Sequence, residues 1–170
     1  MILLPVILFI FLFTFAYAGW RGAPWFPTRS TDIDRLLKLV DIKIGQKFYD
    51  LGCGDGRILG AAANEGAIAE GFEISLLPYL MSQTRFIFNK DRNIKAKIVY
   101  KDFWHHNLSD ADVVYFFLMP RVYPKLKSKL ERELKSGVKV ICYAWPVEGW
   151  QPVIIDKTEK RLPIFLYRIS

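Results

Sequence analysis

The chain has few of the residues that hold metals or cross-link a fold. Its 170 residues include two cysteines and two histidines. Cys53 and Cys142 lie far apart and match no zinc spacing, and His105-His106 has no third ligand at metal distance, so no metal site is expected. In a reducing compartment the thiols would stay unbridged, as small buried residues. The histidine pair reads as a surface loop. Arginine-rich tracts and stacked aromatic-basic motifs are also missing. With 24 Lys and Arg against 17 Asp and Glu, the net charge is +7. That excess suits a domain resting on anionic lipid, and no nucleic-acid partner is expected. No internal repeat or low-complexity segment occurs, so a solenoid is excluded.

Charge is absent from Ile2 to Ala18, ILLPVILFIFLFTFAYA. As a helix this run would be ~25 Å long at about 1.5 Å per residue, slightly short of a ~30 Å hydrocarbon layer. Its large aliphatic and phenylalanine residues give about −5 kcal/mol for insertion, partly offset by Pro5, Thr14 and Tyr17. With no polar face, it is not a core helix. Ala16-Tyr17-Ala18 has the form of a signal-peptide cleavage site, but no Lys or Arg precedes the run. The first positive charge is Arg21, on its far side, which places the following domain on the cytoplasmic side of a single-pass anchor. The expected organisation is an anchor over residues 1–19, a Pro/Gly/Trp connector over 20–30 and a domain over 31–170. The connector reaches at most roughly 40 Å at ~3.3 Å per residue, so the domain stays at the membrane surface.

Beyond the connector, Thr31 is the expected N-cap of a helix whose first turn carries Asp32 and Asp34. Strand-like and helix-like segments then alternate: strand Lys47–Leu51, helix Arg57–Asn64, strand Ala69–Ile74, helix Leu76–Asn89, strand Ala96–Lys101. Strand Asp112–Leu118, helix Val122–Leu134 closed by Ser136-Gly137, and strand Val138–Ala144 follow. The tail Val153–Ile169 reads as two strands joined by the turn Asp156–Arg161. Continuous apolar strands between helices predict a Rossmann-like, doubly wound α/β sheet, mostly parallel, with a C-terminal antiparallel hairpin.

Ligands of such sheets sit beyond the carboxyl ends of the strands. There the chain reads Asp50-Leu51-Gly52-Cys53-Gly54-Asp55-Gly56. Alternating glycines permit positive φ and a close approach to the backbone. The pattern is not G-x-G-x-x-G, since Arg57 stands where its last glycine would fall, and Asp50 and Asp55 would repel a pyrophosphate. They would attract an ammonium or sulfonium. Glu73, at the end of the second strand, can accept both hydroxyls of a ribose. Asp102 and Phe103, at the end of the third, suit an exocyclic amine and an aromatic ring. A cationic amino acid, a ribose and an adenine together describe S-adenosyl-L-methionine.

With these residues the chain resembles the class I (seven-strand) SAM-dependent methyltransferases, from about Ala23 to Ser170. Pro24-Trp25-Phe26-Pro27-Thr28, Tyr49–Ile58, Ala111-Asp112-Val113-Val114 and Glu148-Gly149-Trp150 are similar to the small protein-lysine methyltransferases, archaeal and mitochondrial. The resemblance implies Tyr49, Asp50, Gly52, Gly54, Asp55 and Gly56 near the methionyl part, Glu73 on the ribose and Asp102 near the adenine. It also implies that Pro27 and Thr28 close over the cofactor beside the acceptor channel. Leu118-Met119-Pro120-Arg121 departs from the Asn/Asp-Pro-Pro-Tyr of adenine and glutamine methyltransferases, which disfavours those acceptors. Thr28, Trp145, Glu148 and Trp150 are candidates for the acceptor channel, where aromatic faces could hold an alkylammonium; Trp150→Ala would then cut methyl transfer. No general base is named by the sequence. The expected function is methylation of protein lysines, in a substrate at or in a membrane. The alternatives are a small-molecule or lipid acceptor, or a catalytically silent SAM-binding membrane protein.

Overall fold

The computed structural model describes residues 3–22, 25–87 and 95–170. Helix α1 (Leu3–Arg21) is followed by α2 (Ser30–Val40), β1 (Lys47–Leu51), α3 (Arg57–Asn64), β2 (Ile68–Glu73), α4 (Leu76–Ile87) and β3 (Ala96–Tyr100). Then come β4 (Val113–Phe116), α5 (Tyr123–Glu133), β5 (Lys139–Tyr143), β6 (Ile154–Asp156) and β7 (Ile164–Arg168). Short 3₁₀ turns at Phe103–His105 and Pro120–Val122 follow β3 and β4. The strands form one sheet in the order β3-β2-β1-β4-β5-β7-β6. The first five are parallel, and β7 pairs antiparallel with both β5 and β6.

Alternation along β1 divides the core. Phe48 packs with Leu36, Val40, Leu59 and Ala62 of α2 and α3 on one face. Tyr49 packs with Phe72, Phe116, Leu126 and Leu130 on the α5 face. The central strand β4, VVYF, is buried at every position because it has neighbours in the sheet and helices on both faces. This is the doubly wound architecture that the apolar runs predict.

Several boundaries differ from expectation for local reasons. Thr31 is not a cap: α2 starts at Ser30 behind Arg29, which makes no side-chain capping bond. The Thr31 hydroxyl accepts from Arg161 instead. Asp32 anchors that turn, fully buried and accepting from Tyr143 at 2.6 Å, Arg35 at 2.9 Å and Arg161 at 3.0 Å. Helix α5 stops at Glu133 because Leu134 is extended. Gly137 (φ 88°) then turns the chain into β5, its N–H donating to the Ile169 carbonyl at 2.7 Å. The last two residues of the helix predicted over Leu76–Asn89 lie outside the described residues. Helix α1 continues past Ala18 to Arg21.

Candidate active site

A cleft opens at the carboxyl ends of β1, β2, β3 and β4. The turn after β1 forms its floor: the Gly52 and Cys53 N–H groups both donate to the Phe72 carbonyl at 3.0 Å. Gly52, Gly54 and Gly56 all have positive φ, at 86°, 55° and 72°, which side chains would resist. A Cβ on Gly54 would stand 2.8 Å from the Trp25 indole nitrogen. The bare backbone therefore admits a ring from the segment that crosses the cleft. Gly56 faces elsewhere, and a Cβ there would meet Ile98 at 2.6 Å and Phe86 at 3.0 Å.

The four acids at the strand ends are not equivalent. Asp50 is 1% exposed; burial first, then the charges of Glu73 and Asp55, pushes its pKa well above the carboxylate range. Glu73 accepts from the N–H groups of Gly54 (2.9 Å), Ile74 (2.8 Å) and Ser75 (2.7 Å). Its pKa is nonetheless raised, because burial outweighs those three donors. Asp55 differs from expectation. Its charge is taken by Arg57 at 2.7 Å and Arg85 at 2.9 Å. Burial pushes its pKa up, but the Arg57 hydrogen bonds and both guanidiniums outweigh it and hold the group below its usual range. Only Asp50 is left to meet a cation at the glycine turn. Asp102 accepts from the Trp104 N–H at 3.0 Å and from Arg21 at 3.1 and 2.5 Å. Arg21 belongs to the last turn of α1, whose Ala18 and following Gly22 also line the cleft.

Residues 25–28 lie across the opening. The Thr28 hydroxyl pairs with Tyr115 Oη at 2.8 Å, and the Thr28 carbonyl accepts from Arg57 at 2.9 Å. Tyr115 faces Asp50 in the register of β4 on β1. Burial, then the Asp50 charge, raises its phenol well above the usual value. Phe117 lines the cleft beside it, with Phe26 edge-on at 6.2 Å and Trp145 stacked at 5.8 Å.

Of the residues singled out in the sequence, Pro27, Thr28, Asp50, Gly52, Gly54, Asp55, Glu73, Asp102 and Phe103 line this cleft together. Tyr49 does not, because alternation along β1 sends it away from Asp50; its hydroxyl donates to Asp110 at 2.8 Å. Gly56 shapes the turn from behind. Trp145 reaches the cleft only through Phe117. Glu148 is exposed, and the Trp150 indole donates to Glu131 at 2.7 Å while packing on Tyr167 at 5.3 Å, so neither borders the opening. His105 is exposed, whereas His106 is half-buried on Phe72 at 4.5 Å. Both cysteines are buried and unbridged. Trp25, Ser75, Tyr115, Phe117 and Arg21 are cleft residues that spacing did not identify. Pairing β4 against β1 in register would have found Tyr115.

The fit to a ligand can be read from orphaned atoms. Among the described residues, three buried side-chain polar atoms lack a hydrogen-bond partner: Trp25 Nε1, Asp50 Oδ1 and Ser75 Oγ. All three residues line this cleft. Each orphan costs about 1–3 kcal/mol, so three in one cleft mark a site built for a polar molecule. An indole N–H suits a carboxylate, Asp50 suits an ammonium or sulfonium, and Glu73 retains acceptor capacity for ribose hydroxyls. Phosphate would meet two acids, Asp50 and Glu73, that gain nothing from a negative ligand whether protonated or not. S-adenosyl-L-methionine matches this set and a dinucleotide does not.

Comparison with known proteins agrees. The model of the ANTKMT methyltransferase domain family matches residues 50–154. A protein-lysine N-methyltransferase of Saccharolobus islandicus is 32% identical over 139 residues, covering 80% of this chain and 85% of that protein. The adenine nucleotide translocase lysine N-methyltransferase of Mus musculus is 34% identical over 135 residues, or 78% of this chain; the chain spans only 57% of that relative's length. Among solved structures, an RNA methyltransferase from Salinibacter ruber in complex with S-adenosyl-L-homocysteine superposes with a TM-score of 0.79 at 28% identity, covering 85% of this chain and 94% of that one. The Synechocystis magnesium protoporphyrin IX methyltransferase with bound SAM shares the fold, with a TM-score of 0.71 over 95% of this chain and 97% of that one at 15% identity. A seven-strand sheet, a side-chain-free turn under a buried acid and these relatives agree: the chain belongs to the ANTKMT methyltransferase domain family and is a class I, S-adenosyl-L-methionine-dependent methyltransferase.

Proposed function

We propose that the enzyme methylates lysine side chains of a protein while tethered to a membrane by its first helix. The 32% identity to a protein-lysine methyltransferase over 80% of the chain carries the acceptor assignment. The corner of the cleft lined by Thr28 and Tyr115, taken here as the acceptor port, supports it. Hydroxyls and the rings of Phe26 and Phe117 suit a long aliphatic amine better than a phosphorylated or sugar-bearing acceptor. When bound, the cofactor supplies a methyl group on a positive sulfur.

The residues contribute binding, alignment and dryness. Asp50, Glu73, Ser75 and Trp25 would hold the cofactor, with Asp102 and Phe103 on its adenine side. Thr28 and Tyr115 present paired hydroxyls that orient an incoming amine. Tyr115 keeps its proton at neutral pH because burial raises its pKa, so it positions and does not act as the base. The acceptor ammonium loses its proton on the way into this desolvated port.

Residues 1–19 form the anchor in this reading, the domain over 31–170 lies on the cytoplasmic side, and residues 25–28 of the connector over 20–30 double as the roof of the cleft. Helix α1 has 19 residues with a mean hydropathy of 2.1. Cleavage after Ala18 would cut away the turns that precede Arg21 and hold it beside Asp102, which favours an uncleaved helix. Incubation of the enzyme and membranes with methyl-labelled cofactor, followed by peptide mapping, tests the acceptor. Label on lysine is expected. Label in extracted lipid or RNA would replace the lysine assignment, and cofactor binding with no label anywhere would make the protein a silent binder.

A further inference from the structure

Outward faces of helices on this domain are polar, with one exception. On α2 the exposed positions include Thr31, Asp34 and Lys38, and on α5 Lys125, Ser128 and Glu131. On α4 the exposed positions Leu77, Leu80, Met81 and Thr84 follow i, i+3, i+4, i+7, the spacing of one helical face, and Arg85, also exposed, ends the stripe with its guanidinium on Asp55 at 2.9 Å. Three of the four are large and apolar, at 43%, 44% and 39% exposure, while Pro78 and Ser82 face inward. Tyr100 of β3 extends the patch, 48% exposed and packed on Tyr79 at 5.2 Å.

This face is continuous with α1. The Leu76 N–H, at the start of α4, donates to Thr14 Oγ1 at 3.4 Å. Thr14 precedes Arg21 by seven residues, about 10 Å of helix at 1.5 Å per residue. The end of α1 is fixed to the domain, with Arg21 on Asp102, the Gly19 carbonyl accepting from Arg121, and Met119 N–H donating to the Gly22 carbonyl at 3.2 Å. With Arg21 at the polar boundary of a bilayer, the start of α4 therefore lies below that boundary. We infer that the α4 stripe and Tyr100 are immersed in the interfacial layer of the bilayer, so that the domain is sunk beside its anchor and does not hang from it. The inference rests on the tether reading above. Interfacial helices bury an apolar face by about 5–10 Å, which agrees with the depth set by Thr14.

The two cysteines are buried, so single exposed sites can carry a thiol-reactive environment-sensitive dye. Full-length Leu80→Cys, Phe9→Cys (on α1) and Ser128→Cys (outer face of α5) would be labelled and reconstituted into 3:1 phosphatidylcholine–phosphatidylglycerol vesicles, with and without spin-labelled lipid. Unchanged affinity for S-adenosyl-L-homocysteine shows each labelled protein folded. The expected result is emission at position 80 quenched by the spin-labelled lipid several-fold more than at 128, and comparably to 9. Quenching at 9 with position 80 as unquenched as 128 overturns the immersion and leaves the tether standing. No quenching at 9 overturns the tether and the immersion together. A blue-shifted but unquenched dye at 80 means that a second copy or another protein covers the stripe, which also overturns it.

Discussion

Among the described residues, Asp50 is the one strand-end acid that no side chain or backbone donor relieves, and its behaviour with pH follows from that. Its folded pKa is raised, by burial first and by Glu73 and Asp55 next. The empty protein is therefore most stable with Asp50 protonated, and it loses that stability as pH rises through the raised pKa. A cationic ligand favours the carboxylate. Cofactor affinity is expected to climb over the same interval, with uptake of ligand releasing a proton below it; calorimetry in two buffers of different ionisation enthalpy measures that proton. Asp50→Asn is expected to weaken S-adenosyl-L-methionine binding by roughly 10–100-fold, the equivalent of about 1.5–3 kcal/mol for a hydrogen bond to a charged group, while the melting temperature of the empty protein holds or rises. At Tyr115 the expectation differs. Tyr115→Phe keeps cofactor affinity within about twofold and lowers kcat by about tenfold or more, because it removes one of the hydroxyls that align the acceptor. Equal losses in cofactor affinity and turnover would make Tyr115 a cofactor residue.

At the scale of elements, the glycine turn separates conformational need from ligand contact. Gly56→Ala would place a Cβ at φ 72° and within 2.6 Å of Ile98. Strain and overpacking together should cost about 2–4 kcal/mol, seen as a shifted urea midpoint. The loop after β5 gives the converse case. Trp150 lies on Tyr167 and Glu131, outside the cleft. Trp150→Ala is now expected to leave the methyl-transfer rate within about twofold and to lower stability by about 2 kcal/mol, since the ring is only partly buried. These two elements also show what can be read from sequence. The turn after β1, Glu73 and Asp102 were recognisable because their signal is local: residue type at a strand end. The spent charge of Asp55 was half legible: Arg57 stands two residues along, whereas Arg85 arrives from 30 residues away. The direction of Trp145 and Trp150 depends on how the chain leaves β5 toward β6, which no periodicity records. Tyr115 became visible only once β4 stood beside β1.

At the scale of the whole molecule, the apolar helix is part of the catalytic body. The run Ile2–Ala18 was legible as one long apolar helix from its lack of charge. Its docking along α4 and its contribution of Arg21 to the cleft were not, because hydropathy says nothing about which face touches what. The last turn of α1 is fastened to the loops after β3 and β4 through Asp102, Trp104, Met119 and Arg121. Soluble versions lacking residues 1–22, a common remedy for poor expression, would consequently lose one wall of the cleft, formed by Ala18, Arg21 and Gly22. They should fold with an intact sheet yet bind S-adenosyl-L-homocysteine about tenfold or more weakly than the full chain in detergent, which titration of both would reveal. Inhibitor screens run on such a shortened enzyme would be surveying a different pocket from the one the full chain builds.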